Sequence, residues 1–135
     1  MRVLVMVRDR DFQTLIRIML QRFGCEAIIA NDGTAGMMHI EQDEPELVLL
    51  DTRLFRPGAD EVFAWMQAYF DAPASRVRSI PVIVFARYRD RDNPLLEQAD
   101  GVLFVPILHY DLAAALVPFA DSDLAAGLME VAGGE

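Results

Sequence analysis

Glu46-Leu47-Val48-Leu49-Leu50-Asp51 is the stretch on which the fold turns. Four consecutive apolar residues run into a carboxylate, with no alternation that would leave one face to water. Such a segment is buried on both sides, as the central strand of a parallel sheet is. Ligands of open α/β sheets gather at the carboxyl ends of the strands. Asp51 stands at that end, and the residues that surround it decide what it can do.

Outward from this strand, the pattern repeats. Val3-Leu4-Val5-Met6-Val7 is a second continuous apolar run, and Ile80-Pro81-Val82-Ile83-Val84-Phe85 a third. Cys25-Glu26-Ala27-Ile28-Ile29-Ala30 and Gly101-Val102-Leu103-Phe104-Val105 complete a set of strands, each separated from the next by a helical stretch. Phe12, Leu15, Ile16, Met19, Leu20 and Phe23 recur at helical spacing and predict one buried face, with Asp9 or Asp11 as N-cap and Gly24 as stop. Helices are further expected over residues 34–42, from Asp60 to about Phe70, briefly after Asn93-Pro94, and over residues 107–119. Turns are expected at Asn31-Asp32-Gly33 and Ala72-Pro73-Ala74-Ser75. Residues 120–135 carry a weaker helical pattern (Leu124, Leu128, Val131) before a Gly-Gly end, and read as a helix extension or a linker. Strand and helix thus alternate five times, which calls for parallel strands joined by right-handed crossovers. The expected architecture is a flavodoxin-like (βα)5 three-layer αβα sandwich around a five-stranded parallel sheet, with residues 1–119 as the domain and 120–135 as its tail.

Composition narrows the function. The chain has 135 residues, a formal charge of −9 and a pI of about 4.6, which disfavours direct nucleic-acid binding. No apolar run reaches membrane-spanning length and no signal peptide is read at Met1-Arg2, so a cytoplasmic protein without membrane contact is expected. Cys25 is the single cysteine and reads as a small core residue. All 12 cationic side chains are arginine, which removes lysine from any mechanism.

In order and spacing, Leu47-Val48-Leu49-Leu50-Asp51, Ala30-Asn31-Asp32-Gly33, Pro81-Val82-Ile83-Val84-Phe85-Ala86 and Ala99-Asp100-Gly101-Val102-Leu103-Phe104-Val105-Pro106 resemble the receiver domain of response regulators, over roughly residues 2–119. The resemblance implies an aspartyl phosphoacceptor at Asp51. It also implies an acidic pair that holds Mg²⁺, a Thr or Ser, an aromatic switch and a Lys. Those positions fall here on Val7 and Arg8, Ala86, Val102 and Val105. Phosphoryl transfer needs hard oxygen ligands for the metal, a cation for the developing charge and a hydroxyl for the phosphoryl group. Val7, Arg8, Ala86 and Val105 supply none of the three as the family does. Asp9 reads as a helix cap rather than a displaced metal ligand.

The expectation is therefore an atypical, phosphorylation-independent receiver: not an enzyme, without cofactor, acting by protein–protein contact or self-association through about residues 94–119. Arg8 is expected either to pair with Asp51 and lock the site or to point into solvent. The alternative is a phosphoacceptor regulator, phosphorylated on Asp51 by a histidine kinase with Mg²⁺. His39 and His109 have no partner at metal-ligand spacing and read as ordinary helix residues. The run 87–92 reads as a solvated loop or a contact element, and Phe63, Trp65, Tyr69 and Phe70 mainly as core. No glycine-rich loop supports a nucleotide or flavin.

Overall fold

The computed structural model describes residues 1–72 and 79–133. Its five parallel strands, β1 (Arg2–Met6), β2 (Glu26–Ala30), β3 (Leu47–Asp51), β4 (Val82–Ala86) and β5 (Gly101–Phe104), lie in the order β2-β1-β3-β4-β5. The helices are α1 (Arg10–Arg22), α2 (Gly33–Asp43), α3 (Ala59–Asp71), the short α4 (Leu95–Gln98), α5 (His109–Leu116) and α6 (Ser122–Ala132). This is the flavodoxin-like (βα)5 sandwich that the alternation of strands and helices demands. The strand order reverses between β1 and β3, which places the switch point beside Asp51.

The continuous apolar runs divide by parity, because successive side chains on a strand point to opposite faces. Val3, Val5, Val7, Leu47, Leu49, Ile83 and Phe85 join Ile16, Leu20, Leu112 and Leu116 on one face of the sheet. Leu4, Met6, Val48, Leu50, Val82 and Val84 join Ile40, Val62 and Met66 on the other. Both faces of β3 and β4 are wholly buried, whereas β5 at the sheet edge is half-buried and leaves Phe104 exposed.

Several boundaries differ from the sequence expectation. In α1, Leu15 is 43% exposed although it lies on the apolar stripe, and the buried polar residue is Gln13. Its Nε2 donates to the Val7 carbonyl (2.5 Å) and to Asn31 Oδ1 (2.6 Å), so α1 is tied to the ends of β1 and β2 by an amide that hydrophobic spacing does not reveal. Asp9, not Asp11, caps α1, its Oδ1 accepting from the Phe12 amide at 2.9 Å. Gly58 rather than Asp60 stands at the N-cap of α3. Strand β4 begins at Val82, because Pro81 has no amide to donate to the ladder. The helix expected over 107–119 ends at Leu116 and tightens into a 3-10 turn at Val117–Phe119, where Pro118 interrupts the hydrogen-bond ladder. Pro94 rather than Asn93 stands at the N-cap of α4, and Asn93, one residue earlier, accepts from the Leu95 amide through its Oδ1 at 2.9 Å.

The tail is a helix. Asp121 caps α6 through the Leu124 amide, and Leu128 is buried in the cluster that α1 and α5 share. Leu124, Val131 and Ala132 pack partly buried beside it, so α6 is held by an apolar face rather than by one side chain. Cys25 is buried in the same cluster, where burial pushes its thiol pKa up. The turn expected at 72–75 lies outside the described residues after Ala72, as does the Gly-Gly end after Gly133.

Candidate functional site

Asp51 ends β3 with 1% of its surface exposed. A carboxylate so buried needs compensation for its lost hydration. The compensation is complete. The Arg87 guanidinium grips it with two donors, Nη1 to Oδ1 and Nη2 to Oδ2 (3.2 Å), and the Arg53 amide also donates to Oδ1 at 3.0 Å. This is the fork geometry in which arginine binds carboxylates best, with direction as well as charge.

Strand register explains the choice of arginine. Phe85 lies directly beside Asp51 in the β3–β4 ladder, so Arg87, two residues on, returns to the same face. On β1, Met6 pairs with Leu50, so Val7 is the neighbour of Asp51 and Arg8 falls on the opposite face. The expected Arg8–Asp51 pair is therefore corrected. The Arg8 guanidinium lies over the Phe55 ring, 4.2 Å from its centroid, and Arg56 approaches the same ring at 5.1 Å. Asp51 is paired instead with an arginine from the run 87–92, which reads as a solvated loop or a contact element in sequence.

Val7, Ala86, Val102 and Val105 lie on β1, β4 and β5 or directly after them. Val7 is buried in the core, and its amide donates to Ala30 O. Ala86 is the buried last residue of β4. Val105 follows β5 and donates its amide to Ala86 O, while Val102 is half-buried beside Val84. None offers an oxygen ligand, hydroxyl or charge from its side chain to Asp51.

A second carboxylate braces the loop that carries Arg87. Asp90 Oδ2 accepts from the Thr52 hydroxyl (2.9 Å) and the Arg87 amide (3.2 Å). Partial burial pushes the Asp90 pKa up. The Arg87 amide, the Thr52 hydroxyl and the charges of Arg87 and Arg89 outweigh it, and hold the carboxyl below its ordinary value. Thr52 thus joins β3 to the β4–α4 loop, so the residues flanking Asp51 and Arg87 are fastened to each other. Neither Thr52 nor Asp90 stands out in the sequence. The turn at Gly33 supports the opposite wall: its amide donates to Phe55 O at 3.1 Å, and the Thr34 amide and hydroxyl both donate to Arg56 O.

Over the pair lies a cleft of about 450 Å³, lined by Arg8, Asp9, Phe12, Asp51, Arg53 and Arg87. Magnesium, which the resemblance implies, does not fit this donor set. Both Asp51 oxygens are taken, Asp9 caps α1, and three guanidinium groups line the remaining walls. Among the described residues, no three His, Cys, Asp or Glu side chains converge as a metal site. His39 pairs with Asp43 one turn along α2 (2.5 Å), and His109 packs edge-on against Tyr110, both as ordinary helix residues. On α3, Trp65 stacks on Tyr69 at 5.1 Å and both pack against the core. No described helix is long and apolar enough to cross a membrane.

Neither a family model nor a curated relative matches the sequence. Solved structures do match. The receiver domain of a sensor histidine kinase from Pseudomonas aeruginosa, which holds magnesium in its active-site cleft, superposes with a TM-score of 0.76 at 21% identity, over 87% of this chain and 95% of that one. The response regulator protein TrrA from Thermotoga maritima, in complex with Mg²⁺ and BeF, gives 0.76 at 18% identity, over 88% and 98%. The signal receiver domain of a Luxo repressor protein from Vibrio parahaemolyticus gives 0.75 at 18% identity, over 99% and 97%. The chain has the fold of the receiver domains of two-component signalling proteins.

Proposed function

We propose that this chain is a receiver-type domain that works without phosphorylation, as a regulatory module that binds another protein. One observation carries the reading: the bidentate Arg87–Asp51 pair, in which a permanent cation occupies the carboxylate that a phosphoryl group and a metal would need. Arginine does not deprotonate in a protein, so nothing short of a competing ligand or a conformational change releases Asp51. The contact face lies at about residues 94–119, where Phe104, Leu108 and Tyr110 stand exposed on β5 and the start of α5. Apolar side chains clustered at a sheet edge favour a protein partner or a second copy. The domain carries no catalytic role in this reading and takes no cofactor.

A phosphoacceptor role for Asp51 is the competing reading, favoured by its place at the end of β3 in a fold whose solved neighbours include Mg²⁺ complexes. Incubation with Mg²⁺ and acetyl phosphate, read by intact mass, separates the two. The expected result is no phosphoryl adduct. An adduct present in the native chain and absent from Asp51→Asn would establish the competing reading instead.

A further inference from the structure

The acidic charge of this chain is not spread evenly. Its 21 carboxylates outnumber 12 arginines, yet three arginines, Arg8, Arg53 and Arg87, open onto one cleft at the switch point of the sheet. Only Arg87 is matched by a carboxylate there. Among the described residues neither Arg8 nor Arg53 has an acidic oxygen within 4 Å, and both are exposed. The one other acid in the cleft, Asp9, turns its Oδ1 to the α1 amides. The cleft wall therefore carries three guanidinium groups against two carboxylates, Asp51 and Asp9, and is net positive in a chain of formal charge −9. Three cationic side chains on one concave surface set up a local positive potential that favours an anion over the rest of this acidic surface.

The polar cleft continues into an apolar groove. Phe12, Arg53 and Arg87 belong to both, and beyond them Leu15, Val105, Pro106 and Ile107 form a groove of about 380 Å³. Leu15, left exposed although it lies on the apolar face of α1, is a wall of that groove. A few convergent charges at one end and apolar walls at the other are what a site for a small amphipathic ligand needs.

We propose that the cleft binds an oxyanion, a phosphate or carboxylate, carried on an apolar or aromatic body. Arg8 and Arg53 hold the anion without metal, and Phe12, Leu15 and Val105 receive the body. Arg87 offsets the charge of the Asp51 carboxylate so that it repels the ligand less. The inference rests on the phosphorylation-independent reading, because a metal-loaded Asp51 would need Arg87 displaced.

The test uses the full ¹⁵N-labelled chain at fixed ionic strength in EDTA, titrated with inorganic phosphate, phenyl phosphate and phenol, and followed by amide and arginine side-chain resonances. The expected result is saturable shifts at Arg8, Arg53 and Arg87 with both phosphates, phenyl phosphate binding several-fold tighter, and phenol alone producing none. The double variant Arg8→Gln/Arg53→Gln weakens phosphate binding by about tenfold or more, whereas Arg17→Gln, exposed on α1 and absent from the cleft lining, leaves it unchanged. Shifts that never saturate, or that survive the double variant, overturn the anion site. Phenyl phosphate binding no tighter than phosphate overturns the apolar half. A second arm adds Mg²⁺. Silence in both arms removes the anion site and leaves the phosphorylation-independent reading standing, whereas binding that requires Mg²⁺ removes both.

Discussion

Arg8 and Arg87 each follow a sheet strand by no more than two residues, and each lines the cleft above Asp51. Only Arg87 takes the carboxylate. Arg8 leaves β1 on the wrong face and settles on the Phe55 ring, whereas Arg87 leaves β4 on the face of Asp51 and is braced there by Asp90 and Thr52. The family resemblance put Arg8 beside the site; strand parity put Arg87 into it. At the carboxyl ends of neighbouring strands the period of two outranks closeness along the chain.

The largest expected effect comes from removing the arginine that pairs. Arg87→Met strands a buried carboxylate and should cost about 3 kcal/mol of stability in urea unfolding. Asp51→Leu combined with Arg87→Met should recover most of that loss, because replacing both members of a buried pair removes the uncompensated charge. If the single variant costs less than about 0.5 kcal/mol, comparable to an exposed pair, the two arginines are not different in kind.

Next comes the wall that holds Phe55. A Cβ on Gly33 would lie 2.5 Å from the Pro57 carbonyl and 2.8 Å from Val62 Cγ2, so the backbone itself must give way. Gly33→Ala should therefore destabilise by about 1–3 kcal/mol. It should shift the Phe55 and Arg8 resonances while sparing Arg87. Equal disturbance at Arg87 would show that the two walls are one unit.

A smaller effect belongs to the Asp90 brace. Because its folded pKa lies below the ordinary value, its contribution is present at neutral pH and is lost as pH falls below about 4 through the lowered pKa. Asp90→Asn should remove that part of the acid dependence and cost under about 1 kcal/mol at pH 7. An unchanged acid-unfolding profile would leave Arg87 held by Asp51 alone. The smallest effect is expected for Arg8→Ala, about 0.5 kcal/mol or less, the worth of an exposed cation over an aromatic ring.

The fold was legible in the sequence because four features agreed: continuous apolar runs at β1, β3 and β4, helical periodicity between them, a cap at Asp9, and the stop at Gly24. The position of Asp51 was legible for the same reason. Its partner was not. The run 87–92 has the composition of any solvated loop, and nothing in residue type distinguishes Arg87 from Arg89 or Arg91. The signal that finds it is register: the parity of Phe85 beside Asp51 selects position 87 and rejects Arg8. That parity depends on which residues pair across β3 and β4, a long-range fact. Gln13 was hidden differently. A glutamine on an apolar stripe looks like an interruption until the Val7 carbonyl and Asn31 are seen beneath it. The exposure of Leu15 likewise depends on the loop after β5, which contributes Pro106 and Ile107 across the groove.

Beryllofluoride with Mg²⁺, followed by ¹⁹F NMR on the intact chain, tests the locked carboxylate most directly, because the adduct forms only on an aspartate free to coordinate it. The expected result is the spectrum of the free fluoride species alone, in the native protein as in Asp51→Asn. A protein-bound resonance that the Asp51→Asn substitution abolishes would contradict the lock.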